Sequence, residues 1–189
     1  MMSRRLFTFD DPDRFATGTV GQPGNRTFFL QVRTAGRVVS VVMEKTQVSA
    51  LAERLGELLV ELDRQGIADD PPAPIEPDEQ PLDEPLNEVF RTGSLTLGWD
   101  GDAERVLVEA RAQVEVESVE EAIEALEVAD DDEEGPDLLR VRMTPDTARS
   151  FVEQAFRVVR AGRPTCPLCG NPLDPEGHIC PRKNGHYLN

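Results

Sequence analysis

The sequence predicts an α+β fold: a largely antiparallel sheet, two long amphipathic helices, and a metal-binding tail resembling a zinc ribbon. Three observations carry this. Apolar residues alternate with polar ones through several short segments bounded by turn residues. The period then changes to three and four in two places, each just after a segment ending in methionine, Met43 and Met143. All three cysteines and both histidines fall in the last 24 residues.

Leu6–Phe9 reads as a short strand closed by the turn residues Asp10-Asp11-Pro12-Asp13, and Phe15–Val20 as a second. After the turn Gly21–Asn25, Thr27–Arg33 and Val38–Met43 form a hairpin through Thr34-Ala35-Gly36. In Glu44–Gly66 the apolar positions Val48, Leu51, Leu55, Leu58, Leu59 and Leu62 lie on one face of a helix, and Gly66 is placed to end it. Val89–Trp99 returns to strand character, with Leu95, Leu97 and Trp99 on one face. Asp100-Gly101-Asp102 turns it into Arg105–Val116, whose strict alternation predicts one buried and one wet face. Ser118–Val128 has a capping-box start (Ser118, Glu121) but an acidic density unfavourable to helix. Asp130–Gly135 reads as loop and Leu138–Met143 as strand. Thr144-Pro145-Asp146 then opens a helix with the apolar stripe Ala148, Phe151, Val152, Ala155, Phe156 and Val159. The halves rhyme as a strand–strand–helix duplication, used here as packing logic only.

The net charge of −16 comes from two connecting segments. Ile67–Glu88 holds eight acidic residues, six prolines and no basic residue; Val114–Asp137 holds twelve acidic residues and no basic one. Removing those twenty charges leaves the remainder at +4. Both segments read as solvated, self-repelling loops, the first a linker or exposed loop rather than a packed element. The division is a body over 1–161, with acidic loops near 67–88 and 118–137, and a zinc-binding tail over 162–189. No apolar run approaches a membrane span and no signal region opens the chain, so a cytoplasmic protein without membrane contact is expected.

The tail reads Cys166-x2-Cys169-x8-His178-x-Cys180-x5-His186. Soft thiolates and imidazoles at this spacing suit tetrahedral zinc, whereas three clustered cysteines make a poor disulfide framework. Cys166, Cys169 and Cys180 supply three ligands. His178, facing the first knuckle two residues before Cys180, is favoured as the fourth; His186 competes from nearer the terminus. Four ligands within one segment describe a closed structural site, and Glu176 reads as a turn residue rather than a general base.

Other chemistry is poorly represented. Gly18-Thr-Val-Gly21-Gln-Pro-Gly24 lacks the Gly-Lys-Ser/Thr of a phosphate loop and leads into a strand. Asp10, Asp11, Asp13, Asp100 and Asp102 are explained as turn residues. With both histidines in the tail, no imidazole remains for acid–base catalysis elsewhere. Arg160–Asn189 carries an excess of only two positive charges, with Tyr187 as its one aromatic residue, which is too thin for nucleic acid.

The chain resembles an actinobacterial family of unknown function, the DUF3090 proteins. The resemblance lies in Phe7-Thr-Phe-Asp10, Pro12-Asp-Arg14-Phe15, Gly18-Thr-Val-Gly21-Gln-Pro-Gly24-Asn-Arg26-Thr-Phe28-Phe-Leu30-Gln31, Glu44-Lys45, Gln47-Val48, Leu51-Ala52-Glu53-Arg54, Arg140-Val-Arg142 and Cys166 through Arg182. It spans the chain apart from the acidic segments, and its pattern includes His178. It brings no activity. Its members are encoded near phosphatase-like and lipid-kinase-like proteins, which implies a phosphate-linked setting and an adaptor role. The expectation is therefore a zinc-binding interaction module with a protein partner, a reading that leans away from an enzyme and assigns no biochemical activity. The alternative is an enzyme or ligand-binding protein taking a phosphorylated small molecule at Asp10–Arg26.

Overall fold

A computed structural model describes residues 4–22, 24–68, 78–114, 135–161, 166–170, 173, 180 and 182. The segment Ser118–Val128 and most of the Asp130–Gly135 loop lie outside the described residues. The elements run β1 (Leu6–Asp10), β2 (Arg14–Val20), β3 (Thr27–Thr34), β4 (Arg37–Met43), α1 (Lys45–Arg64), β5 (Glu88–Asp100), β6 (Arg105–Ala112), β7 (Leu138–Met143) and α2 (Pro145–Arg160). Among the described residues the seven strands form one sheet in the order β1-β7-β6-β5-β4-β3-β2. Four pairings are antiparallel; β1–β7 and β4–β5 are parallel.

The expected rhyme has a structural counterpart. Three consecutive strands and a helix occur twice, β2-β3-β4-α1 and β5-β6-β7-α2, laid side by side across the sheet. Met43 pairs with Phe28 and Met143 with Val106, so each methionine ends its strand in the core one residue before a helix cap. At α2, Thr144 Oγ1 accepts the Thr147 amide at 3.2 Å, with Pro145 in the first turn. At α1, Gln47 Oε1 accepts the Glu44 amide at 2.8 Å. The far end of α1 closes as a Schellman motif: Gly66 has φ +66°, its amide reaches the Asp63 carbonyl, and the Ile67 amide reaches Leu62.

One core joins both units. From the sheet come Phe28, Leu30, Val32, Val41, Val106, Val108 and Val141; from the helices come Val48, Leu51, Leu55, Ala148, Phe151 and Ala155. The sheet curls enough that Arg37, at the start of β4, lies over the rings of Phe7 and Phe9 on β1, 5.8 and 4.8 Å from their centroids. At the other edge α2 seals β2. Phe151 meets Phe15 at 4.6 Å between ring centroids, and Gln154 Oε1 accepts the Thr17 amide at 2.9 Å, occupying an outward N–H of the edge strand.

Two expectations change. β6 ends at Ala112 rather than Val116, although two more bonds carry its ladders one rung further, from the Ala112 amide to the Asp137 carbonyl and from the Gln113 amide to that of Arg91. Its outer face is not uniformly wet either. Glu109 is 5 % exposed and pairs with Arg140 at 2.6 Å and Arg111 at 3.5 Å.

The β5–β6 turn yields a pH prediction. Asp100 accepts the Ala103 amide at 3.0 Å and pairs with Arg142 at 3.2 Å, and these hold its carboxyl below the usual carboxylate range. A depressed folded-state pKa contributes stability above the unfolded-state value, lost as pH falls through the folded one. Asp100→Asn keeps an acceptor for Ala103 but removes the charge. Its melting temperature should fall below wild type at neutral pH, and the gap should close in acid. A gap unchanged between neutral pH and strong acid would refute the linkage.

Candidate metal centre

The tail's cysteines come together. The sulfurs of Cys166, Cys169 and Cys180 lie within 4.8 Å of one another, with Cys166 and Cys180 3.9 Å apart, and none is in a disulfide. A tetrahedral ion with Zn–S bonds of about 2.3 Å sets its sulfurs roughly 3.8 Å apart, so the cluster has the right size. Cys166 and Cys180 are buried and Cys169 is half-buried.

The local sequence explains the grip. Cys166-Pro-Leu-Cys169 folds into a turn that the Gly170 amide closes on the Cys166 carbonyl at 2.8 Å. Gly170 itself sits at φ +76°, where a side chain would be strained. The turn directs amides at sulfur. The Cys169 amide, then that of Leu168, holds the Cys166 thiol below its ordinary pKa, against the opposing effect of burial. Thiolate is the form a metal binds. The knuckle is thus as the spacing predicts, although the described tail residues show its turn and no ribbon strands. His178, His186 and Glu176 lie outside the described residues.

The residues of the alternative site do not converge. Asp10 pairs with Arg142 at 3.3 Å, Asp11 with Arg105 at 2.6 Å, and Asp13 accepts the Ala35 amide at 2.8 Å. Arg26 donates to the carbonyl of Ala161, the residue capping α2, at 2.6 Å. Arg14, at the opposite end of the β2–β3 ribbon from Arg26, is 7 % exposed and already engaged by carboxylates.

Those carboxylates belong to a feature the sequence reading missed. Residues 78–83, from the second half of the supposed linker, pack across the outer face of β2 and β3. Arg14 Nε pairs with Asp78, and its other nitrogens donate to the carbonyls of Gln80 at 2.7 Å and Pro81 at 2.9 Å. Gln31 clamps the Asp83 backbone in both directions, and Arg33 pairs with the Asp83 carboxylate at 3.0 Å. Self-repulsion of acids argued for a free loop. The +4 left on the remaining chain was the signal that those acids had somewhere to go.

The fold and the cluster together define a mixed α+β protein with a three-cysteine site of a size to hold a metal ion. The chain belongs to the family described as protein of unknown function (DUF3090), which matches it over residues 7–180. That span includes Cys166, Cys169, His178 and Cys180 and stops short of His186. Nothing among curated proteins or solved structures matches the chain significantly. No described helix is long and apolar enough to cross a membrane.

Proposed function

We propose that this protein is a zinc-stapled interaction module. Cys166, Cys169, His178 and Cys180 close one structural zinc site, and the tail over 162–189 is an appendage to the 1–161 body. The observation carrying the proposal is the sulfur cluster, of tetrahedral size and served by two inward amides. A closed set leaves the ion no open position for water, so the zinc shapes a docking surface rather than activating a nucleophile. Reduced thiols so arranged suit the cytoplasm. The separation of Arg14 from Arg26, each engaged within the protein, weighs against a phosphate pocket at Asp10–Arg26.

Metal content tests this. In protein purified without added metal, mass spectrometry should find one zinc per chain in wild type and in His186→Ala. His178→Ala should lose most of it, a ligand change weakening affinity by about 100-fold or more. No zinc in wild type, or retention until both histidines are replaced, would overturn the closed four-ligand site.

A further inference from the structure

The strap over residues 78–83 is bound as a peptide is bound. Every one of its residues is read by the body. Asp78 presents its carboxylate to Arg14 and its carbonyl to Gln154 Nε2 at 3.2 Å; Glu79 pairs with Arg157 at 2.8 Å. Gln80 and Pro81 present carbonyls to Arg14. Leu82 sits on Gly18, where an added Cβ would come within 2.7 Å of its Cγ, so a glycine opens the slot for the leucine. The Asp83 amide donates to Gln31 Oε1 at 2.8 Å, its carbonyl accepts from Gln31 Nε2 at 3.0 Å, and its carboxylate meets Arg33.

Two features separate this from ordinary loop packing. The reading side is built: Arg14 is 7 % and Gln31 1 % exposed, while Glu79, Gln80 and Pro81 remain exposed. The strap also brings one apolar anchor, Leu82, while its other contacts are polar ones made to Arg14, Gln31, Arg33, Gln154 and Arg157. Arg14 and Arg33 stand directly opposite in the β2–β3 register, a like-charge pairing that strands avoid. An acidic ligand across the pair resolves that conflict. A neutral one leaves it standing.

We infer that the outer face of β2 and β3 is a recognition groove for an extended acidic peptide, filled in cis by residues 78–83. The external occupant is a segment of another protein carrying two carboxylates five residues apart around a Pro-Leu step. The tethered strap competes at an effective concentration of order millimolar, so the groove is gated: a partner segment enters only when it outbids the strap. This inference stands on the body and is independent of the metal, so failure of either reading leaves the other intact.

The probe is a fluorescein-labelled peptide of residues 76–86, titrated by anisotropy into the full chain. Asp78→Asn/Asp83→Asn weakens the strap and leaves every groove residue in place. The peptide should bind that variant saturably and about tenfold or more tighter than wild type. Adding Arg33→Ala should weaken it again. Absence of saturable binding to the folded variant, or equal affinity for both chains, would overturn the proposal. Should the variant fail to fold, hydrogen exchange on wild type decides. The Asp83 amide should exchange roughly 100-fold or more faster than that of Leu30 in β3, as a locally opening strap requires; equal protection would make the strap part of the global fold and end the proposal. Wild-type dimerisation abolished by Asp78→Asn/Asp83→Asn would put a second copy's strap in the groove and overturn the external partner.

Discussion

Cys166→Ser is expected to cost roughly 100- to 1000-fold in zinc affinity and to leave the melting of the 1–161 body where it was. The size follows from sharing. Structural zinc sites bind with apparent energies of about 10–16 kcal/mol, and an even division over four ligands assigns about 2.5–4 kcal/mol to each. In the proposed site Cys166 also holds the amides of Cys169 and Leu168, which both aim at its sulfur, so its replacement disturbs the turn as well as the ligand set. A serine hydroxyl in that cage is a poorer acceptor and a poorer zinc ligand at neutral pH. The second half of the expectation tests the proposed division of the chain. Core residues such as Leu55, Phe151 and Val106 are supplied by helices and strands that end before the tail begins. Metal content by mass spectrometry and calorimetric melting of the same preparations decide it. Unchanged zinc would sink the site; a body that melts far earlier without zinc would sink the appendage.

Acid should release the same ion. Each thiolate ligand competes with protons, so zinc affinity falls as pH drops below the thiol range, independently of any change in the body.

What the sequence made legible was set by local chemistry. The period change after Met43 and Met143, the Thr144-Pro145-Asp146 start and Gly66 placed both helices, because caps and amphipathic spacing act within a turn or two. The knuckle was legible for the same reason: Cys166, Cys169 and Gly170 make their turn among themselves. The strap was not. It depends on Arg14 and Gln31 meeting residues more than fifty positions away, and composition alone favoured a solvated loop. The buried Glu109 failed likewise. Its alternating strand predicted a wet face, but Arg140 from the neighbouring strand neutralises and covers it. Side-chain pairs between distant segments carry no periodic signature.

Phe151→Ala should destabilise the body by about 3–5 kcal/mol, the usual cost of emptying a buried aromatic site. In a protein of this size that is a loss of roughly 6–20 °C in melting temperature, and a large share of the ~5–15 kcal/mol that holds such domains folded. Phe151 is 1 % exposed and lies against Phe15, on the face of α2 that closes both the core and the β2 edge. The cavity cannot collapse readily, since Gln154 one turn on is fixed to Thr17 and to the strap carbonyl of Asp78. Two responses should therefore accompany the loss: faster exchange of the Thr17 amide as α2 loosens from the edge, and faster exchange along residues 78–83. Zinc content should not move, because the cysteines' turn is closed by its own backbone, the Gly170 amide on the Cys166 carbonyl and the Cys169 and Leu168 amides on the Cys166 sulfur. Cys166→Ser and Phe151→Ala thus form a crossed pair, one emptying the metal site on a stable body and the other loosening the body around an intact site. A variant of either kind that moved both readouts together would show the tail and the body to be one cooperative unit.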